Sequence, residues 1–168
     1  MNGKPRYETT NAGRASVRGL EADGLVAVTH ADRINYAFTL LDAHYVDYAP
    51  DGVHSWSGVK LDRTPGRTLA LGWEHRLHLS GGQLVAYAGT QASASYHLTQ
   101  PTANLTYRIP GHTESDLRLG WEPDGAPWSI QARVRNLENE VRPLSISSSG
   151  LTVATAPRTA DVRFDYRF

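Results

Sequence analysis

The last ten residues, Thr159 to Phe168 (TADVRFDYRF), divide by parity into two sets that want different surroundings. Ala160, Val162, Phe164, Tyr166 and Phe168 are apolar, whereas Asp161, Arg163, Asp165 and Arg167 are all charged. Side chains on an extended chain alternate between faces, so this stretch is predicted to be a strand with one wholly apolar and one wholly charged side.

The same two-residue period recurs upstream. Trp128, Ile130, Ala132 and Val134 alternate with Ser129, Gln131, Arg133 and Arg135, and Leu117, Leu119 and Trp121 alternate with Asp116, Arg118, Gly120 and Glu122. Leu69, Leu71, Trp73, His75 and Leu77 alternate with Thr68, Ala70, Gly72, Glu74 and Arg76. Each reads as a two-faced strand. Gln83 to Leu98 reads as one longer strand, rich in Ala and Ser. Arg33 to Tyr48 begins with Ile34, Tyr36, Phe38 and Leu40 on one side and loses parity at Leu41, which predicts a β-bulge near Leu40 to Asp42. Arg14 to Val28 is the least regular strand. The connectors alternate in length: His30 to Asp32, Leu79 to Gly82 and Glu122 to Pro127 are short and carry turn chemistry, whereas Ala49 to Arg63, Thr99 to His112 and Glu138 to Arg158 are long. The expected fold is all-β, an antiparallel up-and-down meander of about seven strands, with short turns at one end and long loops at the other.

Composition narrows the function classes. Seventeen basic residues balance seventeen acidic ones, which gives no support to nucleic-acid binding. Cysteine is absent, so disulfide frameworks and thiolate metal sites are excluded. No run approaches the roughly 20 apolar residues of a membrane-spanning helix. A membrane β-barrel needs no such run, because only every second residue of each strand of about ten residues meets lipid. The mean hydropathy of −0.43 therefore fits a soluble β protein and a barrel equally well. The soluble alternative is a small antiparallel β protein that binds a ligand or carbohydrate. Two details favour a barrel: charges of both signs interleave on the polar faces, and Trp73, Tyr96, Trp121, Trp128, Tyr166 and Phe168 suit an aromatic girdle near strand ends. Asymmetric turn lengths are also a barrel feature, with the short turns on the periplasmic side and the last strand running down toward it.

Ordered along the chain, RASVRGLEADG, NYAFTLLDAHYVDY, GVKLDRTPGRTLALGWEH, VRNLENEV and APRTADVRFDYRF resemble successive segments of the barrel of TonB-dependent outer-membrane receptors. The resemblance covers almost the whole chain. It departs from the family pattern after Asn136-Leu137, where the usual aromatic or Asp-rich follow-on is missing. It implies that residues 1–168 are the C-terminal portion of a transmembrane β-barrel of about 22 strands, with the plug domain and earlier strands absent and Met1 in an extracellular loop. The implied activity is energised uptake of a scarce ligand such as an iron-siderophore complex, in the bacterial outer membrane. The implied partners are membrane lipid, the plug domain and remaining barrel strands, TonB through the missing N-terminal region, and the outer-membrane assembly machinery through the C-terminal strand. In that setting Arg133, Arg135, Asp161, Arg163, Asp165 and Arg167 face the lumen with Asp116 and Arg118. Phe164, Tyr166 and Phe168 form the strand that the assembly machinery reads.

No catalytic constellation, cofactor motif or metal motif is expected. His75 and His78 fall on opposite faces of a strand and cannot share one ion. Glu74 and Glu122 suggest a carboxylate pair, but pairing with Arg76 or Arg118 is the simpler role. In the first long loop, His54 and Trp56 are the candidates for contact with a ligand such as an iron chelate, against the plain alternative of exposed loop residues.

Overall fold

The computed structural model describes residues 13–100, 104–146 and 152–168, and their regular structure is entirely extended. In chain order the strands are β1 (Arg14–Ala27), β2 (Asp32–Asp47), β3 (Arg67–Leu79), β4 (Gly82–Ser93), β5 (Tyr96–Gln100), β6 (Leu105–Ile109), β7 (His112–Pro123), β8 (Trp128–Arg135), β9 (Pro143–Ile146), β10 (Thr152–Ala154) and β11 (Thr159–Tyr166). Seven of them form one antiparallel sheet in the order β1-β2-β3-β4-β7-β8-β11. The other four make two small hairpins, β5 with β6 and β9 with β10, built into the second and third long connections. Met1 lies outside the described residues.

Register carries the alternation of each strand across the whole sheet. Ile34, Trp73, Ala88, Leu117, Val134 and Ala160 are successive neighbours from β2 to β11, so an apolar row crosses six strands. One residue away, Arg33, Glu74, Tyr87, Arg118, Arg133 and Asp161 form a polar row along the same path. A slip of one residue in any pair would put charge into the apolar row, which is why the register is unambiguous. The turns fit the same frame: β3 and β4 join through Ser80 and Gly81, where φ is +91°, a value that glycine adopts without strain.

Among the described residues nothing packs against the apolar face. Leu69, Leu71, Trp73, Leu117, Leu119, Val162 and Phe164 are all exposed. Buried apolar side chains among the described residues are Ala43, Trp56, Val85, Leu98 and Ile109, and all but Val85 belong to the long-loop end.

Three readings of the sequence change. The bulge in β2 lies four to five residues later than expected: Leu40, Leu41 and Asp42 pair in unbroken register with Leu20, Gly19 and Arg18, and the shift comes where Ala15 opposes Tyr45 and Arg14 opposes Asp47. Parity breaks at Leu41 for another reason, because β3 stops pairing at Leu40 and the following loop folds back over β2. Gln83 to Leu98 is two strands, since β4 ends at Ser93 and β5 joins a different sheet. Tyr96 therefore lies in a loop hairpin rather than in a girdle, and Trp73 sits at the middle of β3 rather than near its end.

Candidate functional site

Among the described residues the closed apolar core is at the long-loop end, and its construction starts at the top of β2. The amides of Val53 and His54 donate to Asp51 Oδ1 at 3.0 and 2.7 Å, and the His54 ring meets the other carboxylate oxygen. The His54 contact, helped by the two amides, holds the Asp51 carboxyl well below the usual aspartate range. The chain then returns along β2: Trp56 N donates to Tyr48 O at 2.7 Å, Tyr45 N to Val59 O at 2.9 Å, and Leu61 N to Ala43 O at 3.0 Å. This return covers Ala43 and Trp56, each only 4% exposed.

Asp62 and Arg63 lock that loop to the next one. Thr99 N donates to Asp62 Oδ1 at 2.7 Å, and Arg63 N donates to His97 O at 2.9 Å, so loop and β5 are held side by side. The β5–β6 hairpin buries Leu98 and Ile109, and β5 also contacts β9 of the third connection.

The third connection is pinned at its base by Asn136, which is 3% exposed and adopts a positive φ of 55°. Its side-chain amide donates to Glu140 O and Ala156 O at 2.9 and 3.0 Å, and its own carbonyl accepts from Glu140 N at 3.1 Å. Arg142, nearly buried, donates to Glu114 at 3.0 Å. Glu138 accepts from Ser115 N at 2.8 Å, and the Ser115 hydroxyl, helped by the Glu138 and Ser115 amides, holds its carboxyl below the usual glutamate range. Three loops thus make one interlocked surface rather than three independent flaps.

The second element is the polar face of the sheet. Glu74 accepts from Arg76 Nε at 2.8 Å and from Arg118 at 3.3 Å, and the Arg118 guanidinium stands 4.9 Å from the centre of the Tyr87 ring. Tyr87 lies flat along the wall because Gly72 and Gly89 have no Cβ: one added at either would come within 2.7 Å of the phenol oxygen. Arg133 grips Asp161 through two nitrogens at 3.1 to 3.3 Å, with Arg135 at 3.7 Å from the same carboxylate. Arg163 and Asp165 pair along β11 at 2.6 Å. Among the described residues, no three His, Asp or Glu side chains converge as metal ligands.

Of the two loop candidates, His54 is at the surface while Trp56 is enclosed by its own loop and presents no ring to solvent. Arg133, Arg135, Asp161, Arg163 and Asp165 share one face, and Arg167 follows β11, its amide donating to Pro127 O at 2.7 Å. Phe164 and Tyr166 lie on the opposite face; Phe164 stacks with Trp128 at 6.0 Å between centroids, and Phe168 meets Tyr166 edge-on at 5.2 Å. The sequence reading missed the interlocking residues Asp62, Asn136 and Arg142. Asn136 carried a faint signal, as an asparagine just after a strand where left-handed backbone is common.

Compared with curated protein sequences, the chain has no significant match. Its fold is similar to that of solved receptors: BauA, the ferric preacinetobactin receptor from Acinetobacter baumannii, at 21% identity and a TM-score of 0.74 over 90% of this chain and 22% of that one. PiuA, a siderophore receptor from the same organism, follows at 18% and 0.71, over 89% of this chain and 21% of that one. Fiu, the ferric-catecholate import receptor of E. coli K12, gives 21% and 0.68, over 89% and 20%. The chain spans about a fifth of the length of these structures. Residues 1–137 match the family described as TonB dependent receptor-like, beta-barrel, and the chain belongs to that family.

Proposed function

We propose that this chain is the C-terminal wall of a barrel whose intact form takes up a scarce ligand such as an iron-siderophore complex across the bacterial outer membrane. The family is one of outer-membrane transporters, not enzymes, and intact members work with a plug domain and TonB. The observation that carries the reading is the pair of rows described above. One face of a seven-stranded sheet exposes an apolar surface that none of the described residues covers, and the other face is a wall of ion pairs. An apolar face this continuous is untenable in water and natural in lipid. Both edges of the sheet, β1 and β11, lack a partner strand among the described residues, which suits closure by further strands.

In this reading Leu71, Leu119, Val162 and Phe164 meet acyl chains, whereas Arg133, Arg135, Asp161, Arg163, Asp165 and Arg167 line the lumen, where the plug sits. The interlocked loops face outward and offer a preformed surface to the ligand, with His54 at its edge. Phe164, Tyr166 and Phe168 form the lipid side of the closing strand, the part engaged by the assembly machinery. That the three similar structures are siderophore receptors supports a ferric siderophore as cargo.

The test is uptake of radiolabelled iron as a ferric catecholate by cells that carry or lack the full-length gene, with and without TonB. Gene- and TonB-dependent uptake is expected. Equal uptake in all strains would overturn the cargo, and recovery of the gene product folded and monomeric in the soluble fraction would overturn the receptor itself.

A further inference from the structure

Two glycines face each other in the interior of the main sheet. Gly72 of β3 and Gly89 of β4 are directly paired, with the parity of the polar face. Glycine weakens the interior of a strand, and an opposed pair does so twice, so the bare spot has to serve something else. Locally it lets two side chains lie down along the wall. A Cβ at Gly72 would come 2.7 Å from the Tyr87 phenol oxygen and 2.8 Å from Asn35 Nδ2. Arg118, tied to Glu74 at 3.3 Å, stands 4.9 Å from the centre of the Tyr87 ring and holds it in place.

The glycine pair belongs to a larger neutral block. Asn35, Gly72 and Gly89 form one register row of the polar face; two rows further toward the long loops, past Ala70, stand Thr39, Thr68 and Ser93. Across these three rows of β2, β3 and β4 no side chain is charged and none is longer than glutamine. The block runs about 13 Å along the strands and about 10 Å across them. Its borders are abrupt: Glu21 and Asp23 flank it on β1, Glu114 and Asp116 on β7. Beyond β7 the same face is crowded with long charged side chains, where Arg133 and Arg135 share Asp161 and Arg163 pairs with Asp165.

The two sectors suit different tasks. Charged side chains hold whatever pairs with them, and motion there requires breaking ion pairs. Passage requires contacts weak enough to release, and small neutral side chains lying flat leave both room and weak contacts. We propose that cargo crosses the barrel along the neutral block between β2 and β4, while the plug stays held against the charged sector of β7, β8 and β11. Tyr87 is a positioning residue in this scheme: pinned flat, it keeps the lane open. The inference rests on the receptor reading given under the proposed function.

The experiment uses cells carrying the full-length gene product and radiolabelled iron as a ferric catecholate. Gly72→Leu/Gly89→Leu fills the lane, and the atoms nearest to the new side chains are tips of Asn35 and Tyr87 rather than backbone. Gly120→Leu is the control on the same face outside the block, where a Cβ meets nothing closer than 3.7 Å. Per receptor at the cell surface, the lane variant should take up iron at least tenfold more slowly while binding the ferric catecholate to de-energised cells as wild type does; Gly120→Leu should stay within twofold in both. Undiminished uptake in the lane variant, or an equal loss in Gly120→Leu, overturns the inference. Should the lane variant fail to reach the membrane, thiol labelling decides: uptake should accelerate labelling of Ala70→Cys at least fivefold and leave Arg135→Cys unchanged, and equal acceleration at both positions, or none at Ala70→Cys, overturns it. If wild-type cells show no TonB-dependent uptake at all, the receptor reading fails instead.

Discussion

An arginine placed at two adjacent positions of β3 should have opposite consequences. Leu71 has the parity of the apolar row and is 43% exposed in the isolated sheet. Two residues from the middle of β3, it sits well inside the strand's apolar row. Leu71→Arg should therefore cost up to the midplane penalty of about 2–4 kcal/mol. Ala70 faces the other way and borders a small polar cavity with Asn35, Gln91, Glu114 and Asp116. Ala70→Arg gains carboxylates nearby and should change stability by less than about 1 kcal/mol. The assay is reversible urea unfolding of the full-length receptor in liposomes, followed by heat-modifiable migration. Equal cost at both positions, or a larger cost at Ala70, would refute the assignment of faces.

The loop core makes its own demand: Trp56→Ala should remove about 3–5 kcal/mol from the packing of the first loop, read as faster amide exchange at Leu61 and Arg63 while the strands stay protected. Glu74→Ala leaves Arg76 and Arg118 without their shared carboxylate and should cost about 1–3 kcal/mol, measured by the same urea unfolding; no loss would mean that the arginines find other acceptors. Because its carboxyl is held below the usual range, Asp51 stabilises its turn at all pH above the ordinary aspartate value of about 3.9 and loses that effect only as pH falls below it. Exchange at the Val53 and His54 amides should accordingly be unaffected by this carboxyl between about pH 5 and 7 and accelerate in acid, and Asp51→Asn should abolish that acid response. The 168-residue chain alone, whose apolar face and two sheet edges are left uncovered by the described residues, should aggregate in water without detergent; a cooperative melt of monodisperse chain in plain buffer would contradict this.

The seven strands of the main sheet were legible because each alternates an apolar with a polar face, and that alternation writes itself into parity. Asp161 to Arg167 could be read without any neighbour. Where a segment leaves the wall the code changes meaning. Ala92, Ala94, Tyr96 and Leu98 continue the alternation through the bend at Ala94 and Ser95, so period alone could not separate β4 from β5. Ala43 and Tyr45 broke parity because a loop covers them, an environment that local pattern does not encode. Trp56 reads as a ligand-contacting aromatic for the same reason: burial in a loop core comes from contacts such as Asp62 with Thr99, 37 residues apart. The Glu74 pairing with Arg76 and Arg118 was readable because residues two apart on one strand, and in-register residues on strands of one sheet, share a face.

The most direct test of the two-solvent wall is a scan of single cysteines along β7, to which this chain adds no cysteine of its own. In the full-length receptor reconstituted in liposomes, spin labels at Leu117, Leu119 and Trp121 should be accessible to oxygen in the bilayer, and labels at Asp116, Arg118 and Gly120 to a water-soluble nickel reagent. The account predicts strict alternation with period two; labels that are water-accessible at both parities would contradict it.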